Sequence, residues 1–102
     1  MARQPEAILG NQIKKYLEVR GWKLIKLHGN QFQSGLPDYV ALYPGGKIKW
    51  IEIKTPTGRL SSRQIEKFSL LEKMGQQIYI LTCLEECKWL DMQPNWSTHV
   101  RF

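Results

Sequence analysis

Hydrophobic residues near the beginning of the chain recur at helical spacing, because Leu9, Ile13 and Leu17 fall on one stripe. A proline four residues before the stripe suits a first turn, and a glycine four residues after it suits a helix stop. The pattern therefore predicts a helix from Pro5 to Arg20.

Four later segments carry the shorter, alternating or apolar patterns that are typical of strands. Two of them flank a Pro-Gly-Gly loop, so they predict a β-hairpin. The segments are "WKLIKLH" (22–28), "YVALY" (39–43), "KIKWIEIK" (47–54) and "IYILTC" (78–83).

A second helix is predicted from Ser61 to Gly75, with Ile65, Phe68 and Leu71 on one stripe. The pattern weakens afterwards, and "KWLDMQ" (88–93) is compatible with a final strand or a turn. The order α, β, β, β, α, β predicts an α/β fold in which a mixed sheet is flanked by helices.

The hairpin brings two acids together. If residues 44–46 form the loop, Tyr43 lies opposite Lys47, and counting back places Asp38 directly across from Glu52. Such cross-strand neighbours lie about 4.5–5.5 Å apart at Cβ. Two carboxylates this close repel each other unless a proton or a cation intervenes, and a divalent ion with oxygen ligands is a common solution.

The alternation of side chains puts Lys54 on the same face as Glu52, whereas Ile51 and Ile53 point to the other face. The alternative interpretation is that Glu52 and Lys54 are surface residues at a strand end and Asp38 a turn residue.

Glu6 lies on the same stripe as Leu9 and should face the sheet from the first turn of the first helix. It is either a helix-dipole partner at the rim or a further member of the acidic cluster.

Length and composition fit one compact domain spanning residues 1–102, and the net charge of +6 favours a polyanionic partner or an anionic surface. With no apolar run long enough for a membrane span and no secretory signal, we expect an intracellular, cytoplasmic protein. A four-ligand zinc site would need every Cys and His in the chain, so Cys83 and Cys87 are interpreted as reduced thiols in or near the core.

The ordered motifs resemble those of the PD-(D/E)xK nuclease superfamily, and in particular its VRR-NUC (virus-type replication-repair nuclease) branch. The matching residues are Glu6, "GLPD" (Gly35–Asp38), "EIK" (Glu52–Lys54) and "LSSRQ" (Leu60–Gln64). The resemblance implies a restriction-endonuclease-like core and metal-dependent phosphodiester hydrolysis.

The resemblance also implies the roles of individual residues. Asp38 and Glu52 would hold Mg²⁺ or Mn²⁺, with the backbone carbonyl of Ile53, and potentially Glu6, as further ligands. Lys54 would orient or activate the attacking water. No other cofactor is expected.

Gln64 has two interpretations. The resemblance places it in the catalytic site, whereas the local pattern Ser-Ser-Arg-Gln fits a capping box begun by Ser61. Gly35 either permits a tight turn that brings the backbone close to the metal or phosphate, or is an ordinary loop glycine.

These features predict a DNA endonuclease that acts on branched or junction DNA as a homodimer. Residues 87–102 either form the dimer interface or close the monomer's own core. The resemblance suggests a phage or a mobile element as the source. Arg59, Arg63 and Lys67 are the expected phosphate contacts. The alternatives are a nucleic-acid-binding module that has lost catalysis and, in a third class, a structural partner protein whose charge is incidental.

Overall fold

The computed structural model describes residues 6–27 and 35–92, and within them the chain forms three helices and four strands. The helices are α1 (Glu6–Val19), α2 (Ser62–Lys73) and α3 (Leu84–Asp91), and the strands are β1 (Lys23–Lys26), β2 (Tyr39–Tyr43), β3 (Lys47–Ile53) and β4 (Ile78–Leu81). Within these ranges, none of the helices combines the length and the hydropathy needed to cross a bilayer.

The strands form one mixed sheet in the order β1-β2-β3-β4. The first three strands are antiparallel, and β4 runs parallel to β3 because α2 carries the chain back between them. This arrangement confirms the predicted α/β class. The hairpin register is also confirmed, because Tyr43 pairs with Lys47 and Tyr39 with Ile51.

One face of the sheet is covered by α1 and α3. The predicted stripe of Leu9, Ile13 and Leu17 is buried there against alternate sheet residues. Because side chains alternate along a strand, α2 must cover the opposite face of β3 and β4. There it buries Phe68, which lies outside the main hydrophobic cluster, as does Ile78.

The inward stripe of α2 differs from the predicted one. Ile65 is 52% exposed, whereas Phe68 is fully buried and Gln64 and Leu71 are partly buried. The stripe is therefore Gln64, Phe68 and Leu71, at the i, i+4, i+7 spacing of one helix face. The helix is rotated so that a polar side chain, not Ile65, faces the sheet.

The segment after β4 forms a helix, α3, where the sequence pattern suggested a strand or a turn. Glu86 accepts hydrogen bonds from the backbone N–H and hydroxyl of Thr82, at 2.6 and 3.1 Å, and so closes the first turn. Cys87 and Leu90 are buried. Both cysteines are free thiols, and burial raises the pKa of Cys87 to about 12. His28, His99 and residues 93–102 of the candidate interface lie outside the described residues.

The turn before β2 packs tightly against α2 at Gly35. Its φ is +92°, and a Cβ on Gly35 would lie 2.6 Å from the backbone oxygen of Arg63 and 2.9 Å from Cγ of Lys67. The residue is therefore required for a turn and for a close approach, and it fixes the chain leading to Asp38 against the first turns of α2.

We predict that Gly35→Ala destabilises the protein more than Gly45→Ala. Both glycines have nearly the same positive φ, +92° and +93°, but only Gly35 has a neighbour within 4 Å of the new Cβ. The backbone conformation costs on the order of 1–2 kcal/mol in both variants, and overpacking adds about 1–3 kcal/mol in the first alone. Urea unfolding measures both, and equal losses would contradict the close packing against α2.

Candidate active site

Asp38 immediately precedes β2, where its side chain takes the place of a strand partner. Its Oδ2 accepts a hydrogen bond from the backbone N–H of Ile53 at 2.8 Å, while its backbone oxygen accepts one from Leu27 at 2.8 Å. Because β2 begins only at Tyr39, the carboxylate of Asp38 accepts the hydrogen bond from Ile53 that a further residue of β2 would otherwise accept. The pairing of Tyr39 with Ile51 makes Glu52 the residue opposite Asp38.

Glu52 is buried, with 2% of its surface exposed. Its Oε2 accepts a hydrogen bond from Nε2 of Gln64 at 2.9 Å and lies 3.5 Å from Nζ of Lys54. Its Oε1 is also buried but has no hydrogen-bond partner among the described residues. The interpretation of Glu52 as a surface residue is therefore wrong.

The pKa values of both carboxyl groups are raised in the protein without a metal. Burial, followed by the negative charge of Asp38, raises the pKa of Glu52 to about 7, although Lys54 and the Gln64 hydrogen bond oppose the shift. Burial also raises the pKa of Asp38, against the hydrogen bond from Ile53. The raised pKa values indicate that the described residues do not stabilise negative charge on Asp38 and Glu52 at the same time.

Gln64 forms the predicted capping box and also contacts the acidic pair. Its backbone N–H donates to Ser61 Oγ at 3.1 Å, and its Oε1 accepts from the Ser61 backbone N–H at 2.9 Å, which completes a capping box. The remaining amide nitrogen donates to Glu52. One side chain therefore links the start of α2 to the buried carboxylate.

Glu6 lies in the exposed first turn of α1, where a negative charge also suits the helix dipole. Its charge contributes to the raised pKa of Asp38. Lys26, which pairs with Tyr39 in the neighbouring strand, has the opposite effect on the pKa of Asp38.

The Ile53 carbonyl is placed by the strand geometry. The N–H of Ile53 points to Asp38, and the N–H and C=O of one strand residue leave the chain on the same side. The carbonyl is thus directed toward the side of β3 on which Asp38 lies.

The expected phosphate contacts lie near the beginning of α2. Arg59 and Arg63 are exposed, and Lys67 is partly buried beside Gly35. Arg59 lies in the loop before α2, and Arg63 and Lys67 lie in α2, the helix that supplies Gln64 to Glu52.

Comparison with known proteins identifies the family. The model of the VRR-NUC domain matches residues 5–83, which is most of the chain. The chain belongs to the VRR-NUC domain family. A solved structure described as a "VRR_NUC domain" superposes with a TM-score of 0.78 at 21% identity, covering 87% of this chain and 96% of the other, and supports the fold. No curated protein matched the sequence.

As a VRR-NUC domain, the chain has a nuclease-family fold, with DNA as the implied partner. VRR-NUC nucleases are typically metal-dependent, and the residues present fit a hard divalent cation. The buried Oε1 of Glu52, for which the described residues offer no hydrogen-bond partner, is an oxygen ligand of the kind Mg²⁺ prefers, and Asp38 supplies a second carboxylate. Within residues 6–27 and 35–92, no three Asp, Glu, His or Cys side chains form a metal-binding group. Two carboxylates suit an ion that keeps several of its waters.

The raised pKa of Glu52 predicts the pH dependence of stability in metal-free buffer. Between pH 4.5, its ordinary pKa, and pH 7 the folded protein holds a proton that the unfolded chain has released, so stability falls as the pH rises through this window. The loss attributable to Glu52 is on the order of 3 kcal/mol. Urea unfolding at several pH values measures it. Glu52→Gln should show a flatter profile, and an unchanged slope in that variant would contradict the assignment.

Proposed function

We propose that this VRR-NUC domain is a metal-dependent endonuclease that hydrolyses phosphodiester bonds in DNA, using Mg²⁺ or Mn²⁺. The observation that supports this most directly is the buried Oε1 of Glu52, which has no hydrogen-bond partner in the part of the chain that the structure describes, although Lys54 lies beside the other oxygen of the same carboxylate. A carboxylate oxygen is costly to bury in that state. A cation that both acids share offsets the cost and gives the pair a function.

In this proposal Asp38 and Glu52 hold the ion, with the Ile53 carbonyl as a further ligand, and Glu6 acts at the rim through its charge or as an additional ligand. A bound divalent ion would make a water more acidic and stabilise negative charge on the phosphate. The chain itself orients these groups: Ile53 N–H holds Asp38, and Gln64 holds Glu52.

Lys54 is the proposed catalytic cation. Its side chain is 18% exposed, and its Nζ lies 3.5 Å from the buried Glu52 Oε2. An ammonium at this boundary can contact a phosphate or a water on the solvent side while its stem stays packed. Gly58 lies beside that stem, since a Cβ on Gly58 would lie 3.5 Å from Cδ of Lys54.

DNA would reach the site along the basic start of α2, through Arg59, Arg63 and Lys67. Branched DNA is the proposed substrate because a chain of 102 residues has little surface for reading a long sequence. The net charge of +6 favours sequence-independent phosphate contacts. Cutting both strands requires two sites, and so we propose a homodimer.

Removal of either acid is expected to abolish cleavage and leave the fold intact. In the experiment, a labelled four-way junction, a flap and a plain duplex are incubated with the protein in Mg²⁺, Mn²⁺ or EDTA. Asp38→Asn and Glu52→Gln should give no product with any metal, and each should be at least as stable as the wild type without metal because repulsion is relieved.

If the wild-type protein cleaves none of these substrates with either metal but binds them in a salt-sensitive manner, the chain is a binding module instead. The absence of DNA binding even at low salt would favour the structural partner protein.

Lys54→Ala is expected to separate metal binding from catalysis. The variant keeps both carboxylates, so Mn²⁺ affinity measured by calorimetry should stay close to that of the wild type. The cleavage rate should fall by a factor on the order of 10² or more, because the charge that acts on the phosphate is lost. A rate close to that of the wild type would refute the role of Lys54.

The homodimer predicts a mass of twice 12.0 kDa in solution. Light scattering at the concentrations of the cleavage assay measures it, with and without a four-way junction. A monomer under both conditions would remove this part of the proposal and leave the chemistry of the site unaffected.

A further inference from the structure

Three hydrogen bonds connect the first turn of α2 to the buried acid. The Ser61 backbone N–H donates to Oε1 of Gln64 at 2.9 Å, the Gln64 backbone N–H donates to Ser61 Oγ at 3.1 Å, and Nε2 of Gln64 donates to Glu52 Oε2 at 2.9 Å. A capping box alone requires only the first two of these bonds. The third bond makes the position of the Glu52 carboxylate depend on the orientation of the Gln64 amide.

The Ser61 N–H determines which end of the Gln64 amide faces Glu52. A backbone N–H can only donate, so it selects the amide oxygen, and the nitrogen is left for the carboxylate. Rotation of the amide by 180° would break the bond to Ser61 and direct an oxygen at a carboxylate oxygen. The orientation is therefore fixed from outside the acidic pair.

The orientation also distinguishes the two oxygens of Glu52. Oε2 has Gln64 Nε2 at 2.9 Å and Lys54 Nζ at 3.5 Å, whereas Oε1 is buried without a partner among the described residues. A carboxylate held in this way has one oxygen committed to nitrogen donors and one oxygen left for another ligand.

We propose that Ser61 is a positioning residue of the site: its backbone N–H fixes the Gln64 amide, which holds Oε2 of Glu52 and leaves Oε1 as the oxygen that faces the divalent cation. This inference rests on the proposed function for its metal. It gives the N-cap of α2 a role beyond the stability of the helix.

A purely structural cap makes a different prediction. Loss of an N-cap side chain costs about 0.5–2 kcal/mol of stability, and that cost does not depend on the backbone N–H of the capping residue. Loss of an outer partner of a metal ligand instead weakens metal binding, typically 10- to 100-fold. The two roles can therefore be separated by removing the Oγ and the N–H of Ser61 in turn.

The test compares Ser61→Ala with Ser61→Pro. Both variants lose the Oγ cap, but only proline also loses the N–H that orients Gln64. Proline fits the backbone at this position, where φ is −72°. Ser62→Ala, at the neighbouring exposed serine, is the control. Mn²⁺ affinity is measured by calorimetry on DNA-free protein, and the Gln64 side-chain amide is followed by ¹⁵N NMR.

We expect S61A and S62A to bind Mn²⁺ within about threefold of the wild type, and S61P to bind it at least tenfold more weakly. In S61P the Gln64 amide signals should also move to the shifts of exposed glutamines. If S61P and S61A have the same Mn²⁺ affinity and the same Gln64 signals, the proposal is overturned.

A second variant covers the case in which S61P does not fold. Gln64→Met keeps the backbone bond to Ser61 Oγ and removes both side-chain bonds, so it should weaken Mn²⁺ binding as S61P does; unchanged affinity would overturn the proposal. These readouts do not require cleavage. If the wild type binds Mn²⁺ but cuts no DNA, the endonuclease fails as a function and the positioning role is still decided.

Discussion

The burial of the Glu52 carboxylate is the constraint on which the arrangement of the site depends. A carboxylate with 2% exposure is stable in a folded protein only when donors surround it, when a cation pairs with it or when it keeps a proton. Gln64 and Lys54 supply donors to one of its oxygens, and Asp38 adds a repulsive charge beside it. Within residues 6–27 and 35–92, the donors reach one oxygen of Glu52 and leave Oε1 without a hydrogen-bond partner.

The two faces of the sheet differ in what they contain: one carries the apolar core, and the other carries the buried acid. The face under α1 and α3 contains the continuous apolar cluster, from Leu9 to Leu90. The opposite face carries Glu52 and receives Gln64 from α2. Because alternate residues of β3 serve the two faces, Ile51 and Ile53 anchor the same strand that presents the acid. The carboxylate is thereby held on a rigid element.

The sequence predicted the parts of the site that depend on short-range geometry. A three-residue loop and a period of two fixed the hairpin register, and with it the position of Asp38 opposite Glu52. Periodicity could not distinguish adjacent stripes of α2, because Ile65 and Gln64 are both compatible with an inward position beside Phe68. The sequence pattern treated the capping box and a place beside the acidic pair as alternatives for Gln64, because a residue pattern does not show that one amide can use both of its ends. The helix α3 was missed because it is short and its N-cap, Cys83, makes no side-chain cap bond.

The shallow attachment of α2 has a consequence for how the protein unfolds on heating. Only Phe68 is fully buried among the twelve residues of this helix, which also carries Gln64. Segments with few buried contacts open with less free energy than the whole fold requires. We therefore expect α2 to detach in a sub-global opening that precedes melting of the sheet, so that the contact between Gln64 and Glu52 is lost while most backbone amides of the core are still protected from hydrogen exchange.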